Sequence, residues 1–313
     1  MINAMKADQE SAALNRSAAY ASTGVAALLV VLKSWAAWTT GSTAMLGSLA
    51  DTTLDLVSSL ATLVGVWVAG QPADRQHRFG HGKAEALSAM FQVVLISISA
   101  VALGIHAVQQ IMAHEMTSAA TDGILVSLVA IAATLGLLAW QRHVIRRTNS
   151  VAISTDHIHY QADLLVNIAV IAALVLEQHF KVMHADPVFG LAIALWLGWG
   201  AWTASQQAII QLMDREWPEE KRKRFVEVMA RHPELRGVHD LRTRTAGNRD
   251  FVQFHVWVDP EMSIREAHKV MDEIELKVRS EFPGVEILIH PDPEGHVDTG
   301  LGAKDLMPDE HVA

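Results

Sequence analysis

The sequence predicts an α-helical membrane protein, with six transmembrane helices followed by a cytoplasmic α+β domain of element order αββαβ. Three observations carry this expectation. Half of the 313 residues are hydrophobic, and they crowd into the part of the chain before residue 213. Six apolar segments there each approach the roughly 20 residues that a helix needs to cross a hydrocarbon core. From Asp214 onward the chain turns charged and ordinary, with about 100 residues in which to bury a core of its own.

Residues 1–17, MINAMKADQESAALNRS, read as a polar cytoplasmic segment. They lack a short apolar core with a small-residue cleavage site, so no cleaved signal peptide is expected. The apolar segments are 18–40, 43–69, 86–112, 124–140, 158–176 and 187–212, giving a membrane domain over 18–212. Ser, Thr and Gln within some of them point to faces turned toward other helices rather than lipid. Lys6 and Arg16 precede the first span. Arg75, His77, Arg78, His81 and Lys83 lie between the second and third, and Arg142, Arg146 and Arg147 follow the fourth. The alternate loops carry almost no base, Lys181 being the main exception, so both termini are expected in the cytoplasm.

In the soluble part a helix is expected over 218–231, with Glu219 and Glu220 in its first turn to suit the helix dipole. Strands are expected at 239–245 and 251–258, separated by the turn Ala246-Gly-Asn. Residues 264–282 have helical periodicity with a Pro283-Gly stop, and 285–290 read as a third strand. This order suits a small open sheet with helices on one face, over a domain spanning 213–292. Residues 293–313 are rich in Gly, Asp and Pro and read as disordered.

The second span carries a polar stripe, Ser48, Asp51, Asp55, Ser58 and Thr62, at three- and four-residue steps. The fifth carries Thr155, His159, Asp163 and Asn167 at steps of four. An acid at the bilayer centre costs roughly 2.5–3.5 kcal/mol. Helix–helix hydrogen bonding alone explains such residues poorly. Asp51, Asp55, His159 and Asp163 suit four ligands of one divalent cation crossing a membrane. Three ionised carboxylates overcompensate a 2+ ion, so protons compete with the metal for the same groups.

Asp74, His77 and His81 have the spacing of a surface metal site, or of a solvated basic loop at the interface. His239, His255, His268, His290 and Asp292 are scattered over the soluble domain and could converge on one or two metals. Lys83 and Asp214 suit an interdomain salt bridge, and an exposed pair of that kind is worth only about 0–1 kcal/mol. With no cysteine, disulfides and thiolate sites are excluded. The 16 histidines and many acids suit Zn(II), Fe(II) and similar ions. The net charge of −9 argues against a nucleic-acid partner.

These residues carry a family resemblance. Ser48-Leu-Ala-Asp51-Thr-Thr-Leu-Asp55, His77-Arg-Phe-Gly-His81-Gly-Lys83-Ala-Glu85, His159-Tyr-Gln-Ala-Asp163 with Asn167, His239-Asp-Leu-Arg-Thr-Arg and Ile289-His290-Pro-Asp292-Pro stand in order along one chain. Together they resemble the cation diffusion facilitators, in particular the bacterial ferrous-iron and zinc efflux group. The resemblance implies a homodimer in the bacterial inner membrane, with a metallochaperone-like cytoplasmic domain, that exchanges cytosolic divalent metal for protons by alternating access. It implies a transport site at Asp51, Asp55, His159 and Asp163 and a loop site at Asp74, His77 and His81. It further implies a binuclear cytoplasmic site at His239, His255, His268, His290 and Asp292, and a charge interlock of Lys83 with Asp214. Two departures are visible: Arg75 follows Asp74 where relatives can carry a second acid, and Pro291 separates His290 from Asp292.

Zn(II), Fe(II), Cd(II), Co(II) and Ni(II) all tolerate such nitrogen–oxygen sites, and His159 leans toward zinc-like ions. Two other readings compete with transport. A membrane metalloenzyme lacks support, because His114-Glu115 has no histidine three residues on. A metal sensor would need no ion at membrane depth. A secondary transporter, not an enzyme, is therefore expected.

Overall fold

The computed structural model of the chain describes residues 2–40, 43–113, 124–180, 185–231, 233, 237–247 and 249–296. Two compact units divide it: Ser11–Ile209 is one, and Met1–Glu10 with Ile210–Ala313 the other. The tail expected to be disordered lies outside the described residues from 297 onward.

The first unit is built from α1 (Ile2–Thr40), α2 (Thr43–Ala69), α3 (Lys83–Ala113), α4 (Ile124–Thr148), α5 (Val151–Phe180) and α6 (Ala185–Leu212). Five helices extend beyond the apolar segments, and three of them by four residues or more at one end. Helix α1 reaches back to Ile2 because residues 2–17 are mostly strong helix formers and contain neither Gly nor Pro to stop it. Helix α4 continues to Thr148, ending with Arg146 and Arg147 in its last turn, where cations suit the helix dipole. Asn149, at φ 51°, then closes it by donating its N–H to the Ile145 carbonyl at 2.9 Å. Helix α5 starts at Val151, so Asp156 and His157 join the same rod as His159 and Asp163.

Among the described residues, five helices are long and apolar enough to cross a membrane: Gln9–Thr39, Ser48–Ala69, Lys83–Met112, Leu128–Thr148 and Ala185–Leu212. The 30 residues of α5 match them in length. Large apolar side chains such as Trp38, Leu195 and Trp199 point outward, as lipid-facing residues do. Small residues such as Ala18, Ala152 and Ala201 fill the interior. Gly65 allows α2 and α3 to meet, since a Cβ there would run into the Ser88 side chain.

The second unit contains α7 (Glu219–Met229), β1 (Gly237–Ala246), β2 (Arg249–Val258), α8 (Ile264–Glu281) and β3 (Glu286–Pro293), the αββαβ order expected. The sheet order is β1-β2-β3; β1 pairs antiparallel with β2, and β3 pairs parallel with it after the α8 crossover. Ser263 and Glu266 form a capping box that starts α8. The helix then buries Ala267, Val270, Met271, Ile274 and Val278 along one stripe. These meet Val252, Phe254, Val256 and Val258 of β2, with Phe225 and Met229 of α7, in one core. All four β2 residues are even-numbered, so His255 belongs to the opposite, helix-free face of the sheet.

Candidate metal sites

The first cluster joins α2 to α5. His159 Nε2 lies 3.0 Å from Asp55 Oδ1 and 3.8 Å from Asp163 Oδ2. One ligand atom from each of Asp55, His159 and Asp163 can be chosen so that all lie within 4.8 Å of one another. The i, i+4 spacing stacks His159 over Asp163 on one helix face, and Asp55 faces them from α2. Asp51 does not join the group: it is exposed, one turn back along α2. Of the α2 stripe, Ser58 and Thr62 are buried, with Thr52 and Ser59 buried beside it.

The second cluster lies in the loop between α2 and α3. Asp74 Oδ1 accepts the backbone N–H groups of His77 at 2.6 Å and Gln76 at 2.8 Å. The His77 N–H bond is the main reason the Asp74 carboxyl stays below the usual carboxylate range. His77 Nδ1 and His81 Nε2 each lie 3.3 Å from an Asp74 oxygen. Gly80, at φ 82°, makes the turn that brings His81 back toward Asp74.

The third cluster sits on the helix-free face of the second unit. Sheet register sets His239 opposite His255, and His255 opposite His290. Asp292, buried at 3% exposure, takes the centre. Its Oδ2 lies 2.8 Å from His255 Nδ1 and 3.2 Å from His239 Nε2, and its Oδ1 lies 3.3 Å from His290 Nε2. Burial pushes Asp292 up, but the His255 hydrogen bond and the surrounding imidazoles outweigh it and hold the carboxyl below its ordinary value. Burial pushes His239 below its ordinary value, which favours the neutral imidazole that a metal ligand requires. A carboxylate ringed by three imidazoles fits a divalent ion. Pro291 is tolerated because β3 is an edge strand.

His268 is not in this cluster. It stands on α8, across the sheet, with a side chain 77% exposed and 3.9 Å from Asp272. Lys83 and Asp214 belong to different units, and Asp214 Oδ1 lies 3.6 Å from Arg244 Nη1.

Two buried acids carry more structure than their sequence context suggested. Asp156 has no exposed surface, and its oxygens accept from Ser22 Oγ at 2.5 Å, Gln141 Nε2 at 2.8 Å and Gln92 Nε2 at 2.9 Å. One carboxylate thus ties α5 to α1, α3 and α4, and Gln92 carries the network on to Thr62 of α2. Glu85 accepts from Asn15 at 2.9 Å and Ser150 at 2.8 Å, joining α3 to α1 and to the start of α5. Its place three residues before His159 puts Asp156 on the same helix face, but that spacing does not mark its distant partners.

Known proteins resemble this chain over most of its length. Residues 19–213 match the family model described as the cation efflux transmembrane domain, and residues 217–294 match the cation efflux protein cytoplasmic domain. The cation-efflux pump FieF of Cronobacter sakazakii is 40% identical over 276 residues, covering 88% of this chain and 92% of that protein. That of Serratia proteamaculans is 37% identical over 293 residues, covering 94% of this chain and 97% of that protein. Among solved structures, the zinc form of a putative zinc transporter, CzrB, is 37% identical over 27% of this chain and 98% of its own, with a TM-score of 0.26. The relatives are named as pumps, which are transporters rather than enzymes. The chain belongs to the cation diffusion facilitator family of membrane cation-efflux transporters.

Proposed function

We propose that the protein exports divalent metal ions of the Zn(II)/Fe(II) class, with Cd(II), Co(II) and Ni(II) as further substrates, across the bacterial inner membrane in exchange for protons. The observation that carries this reading is the meeting of Asp55, His159 and Asp163, from two helices, inside the membrane domain. Imidazole and carboxylate are ligands that such ions accept. They are also groups that bind protons, so one site serves both substrates in turn. Metal arriving from the cytoplasm displaces protons from His159 and the carboxylates. Helices α2 and α5 then shift to open the site to the far side, where protons displace the ion. Asp51, one turn from Asp55, supplies the fourth ligand within that cycle.

The cytoplasmic cluster of His239, His255, His290 and Asp292 holds metal that steadies a homodimer. His268 lies too far round the domain to join it within one copy, so it contributes from the second copy. Asp74, His77 and His81 form a loop site at the cytoplasmic face. Lys83 and Asp214 serve as a charge interlock, and both chain termini face the cytoplasm.

The test is zinc flux in proteoliposomes with an imposed pH gradient. Zinc should move against the proton flow and reverse direction when the gradient is reversed. Flux that ignores the gradient would contradict the exchange.

A further inference from the structure

Lys33 is a base within an apolar membrane helix. It stands in α1, near the C-terminal end of the apolar stretch Gln9–Thr39, and is partly buried. A cation at that depth is costly, as an acid is, and calls for a partner. Its Nζ donates to Thr52 Oγ1 at 2.6 Å and to the Ser48 carbonyl at 3.4 Å. Those two residues flank Asp51 on α2, with Asp55 one turn on. The ammonium stands within electrostatic reach of Asp51, Asp55 and Asp163 together.

The charge count gives this placement a consequence. With Asp51 drawn in as the fourth ligand, as proposed above, three carboxylates and a neutral imidazole carry −3. A 2+ ion leaves −1, a residual that is expensive away from water. One positive charge brings the loaded site to zero. We infer that Lys33 is that charge: it balances the third carboxylate when a divalent ion is aboard, and by repelling the ion it keeps binding loose enough for release. Thr52 and the Ser48 carbonyl hold the ammonium beside the site without making it a ligand. Lys33 is thus a positioning and specificity-setting residue for divalent charge. This rests on the transport-site reading above.

The experiment uses the full chain with His77, His81, His239 and His255 replaced by alanine, so that the membrane cluster is left to bind Zn(II). Calorimetric titration in detergent compares Lys33 with K33M, K33Q and K33R. Two charges on the ion, at several ångströms from the ammonium, make the expected effect of removing it about tenfold or more in affinity. K33M and K33Q should therefore bind zinc about tenfold or more tightly, with K33R within about threefold of the lysine protein. In vesicles the neutral variants should show a lower KM together with a lower kcat. K33Q retains a donor for Thr52, so it carries the comparison if K33M fails to fold. A lysine that merely braced α1 against α2 would loosen binding when lost, the opposite sign. Unchanged or weaker binding in the neutral variants overturns the assignment. His159→Ala in the same background separates the two claims. If it abolishes zinc binding while K33Q fails to tighten it, Lys33's role alone falls; if zinc still binds, the transport-site reading falls and Lys33's role with it.

Discussion

Asp55→Ala should reduce zinc flux in proteoliposomes on the order of 100-fold or more, and His159→Ala by a similar amount. Loss of a partner that only supports a metal ligand costs about 10–100-fold, and loss of a ligand costs at least that. Asp55 Oδ1 lies 3.0 Å from His159 Nε2, so either substitution removes one wall of the same small cage. Asp51→Ala separates two pictures of the site. If Asp51 ligates throughout the cycle, its loss matches that of Asp55. If it joins only after a helix shift, as its exposed position one turn away indicates, the loss is smaller. Wild-type flux from Asp55→Ala would remove the membrane cluster from the transport path.

Asp156→Ala should damage the fold rather than the chemistry. Three donors from three other helices converge on this carboxylate, with the longest bond at 2.9 Å. Removing the acceptor leaves Ser22, Gln92 and Gln141 facing one another in a site that water does not reach. Ser22 falls back on the Ala18 carbonyl at 3.1 Å, but Gln92 and Gln141 each lose the acceptor of one amide hydrogen; at about 1–3 kcal/mol apiece, a total of about 3 kcal/mol is expected. For a membrane unit of this size that corresponds to a fall of about 6–12 °C in Tm. The nine tryptophans make the transition measurable by fluorescence in detergent. A Tm within about 2 °C of wild type would show that the network relaxes at little cost. Asp156→Asn should sit between, because its amide keeps one oxygen but turns a donor toward the Gln side chains.

The two predictions separate what the sequence made legible from what it hid. The H-x-x-x-D spacing of His159 and Asp163 is a property of one helix, so it could be read directly. So could the polar stripe on α2, the αββαβ order and the alternation that sends His255 to the face opposite Phe254. What remained hidden depends on how separate elements meet. Asp51 and Asp55 occupy the same helical stripe, and only the rotation of α2 against α5 selects Asp55. His268 has the residue type of a ligand, but α8 packs on the core face of the sheet and carries it away from Asp292. Asp156 finds its partners 134, 64 and 15 residues away, and no local pattern announces such a hub. The helix ends were missed for a simpler reason. Apolar windows mark the hydrocarbon, and α1, α4 and α5 run past it on residues with good helix propensity or well-placed charge.

Lys33 and the buried acids also refine the electrostatics of the membrane unit. The oxygens of Asp156 and Glu85 are satisfied locally by side-chain donors, which leaves these acids to fix helix positions. Asp55, Asp163 and His159 lack such saturation, and their geometry leaves room for an exchangeable cation. That division lets one rigid network hold the helices while a few groups change partners.

The central claim is that one metal ion sits between α2 and α5. Crystals of the full-length protein soaked in Zn(II) and recorded at the zinc edge test it most directly. The account predicts an anomalous peak among Asp55, His159 and Asp163, lost in the Asp55→Ala protein. Peaks confined to the loop and cytoplasmic clusters, with undiminished flux in Asp55→Ala, would contradict it.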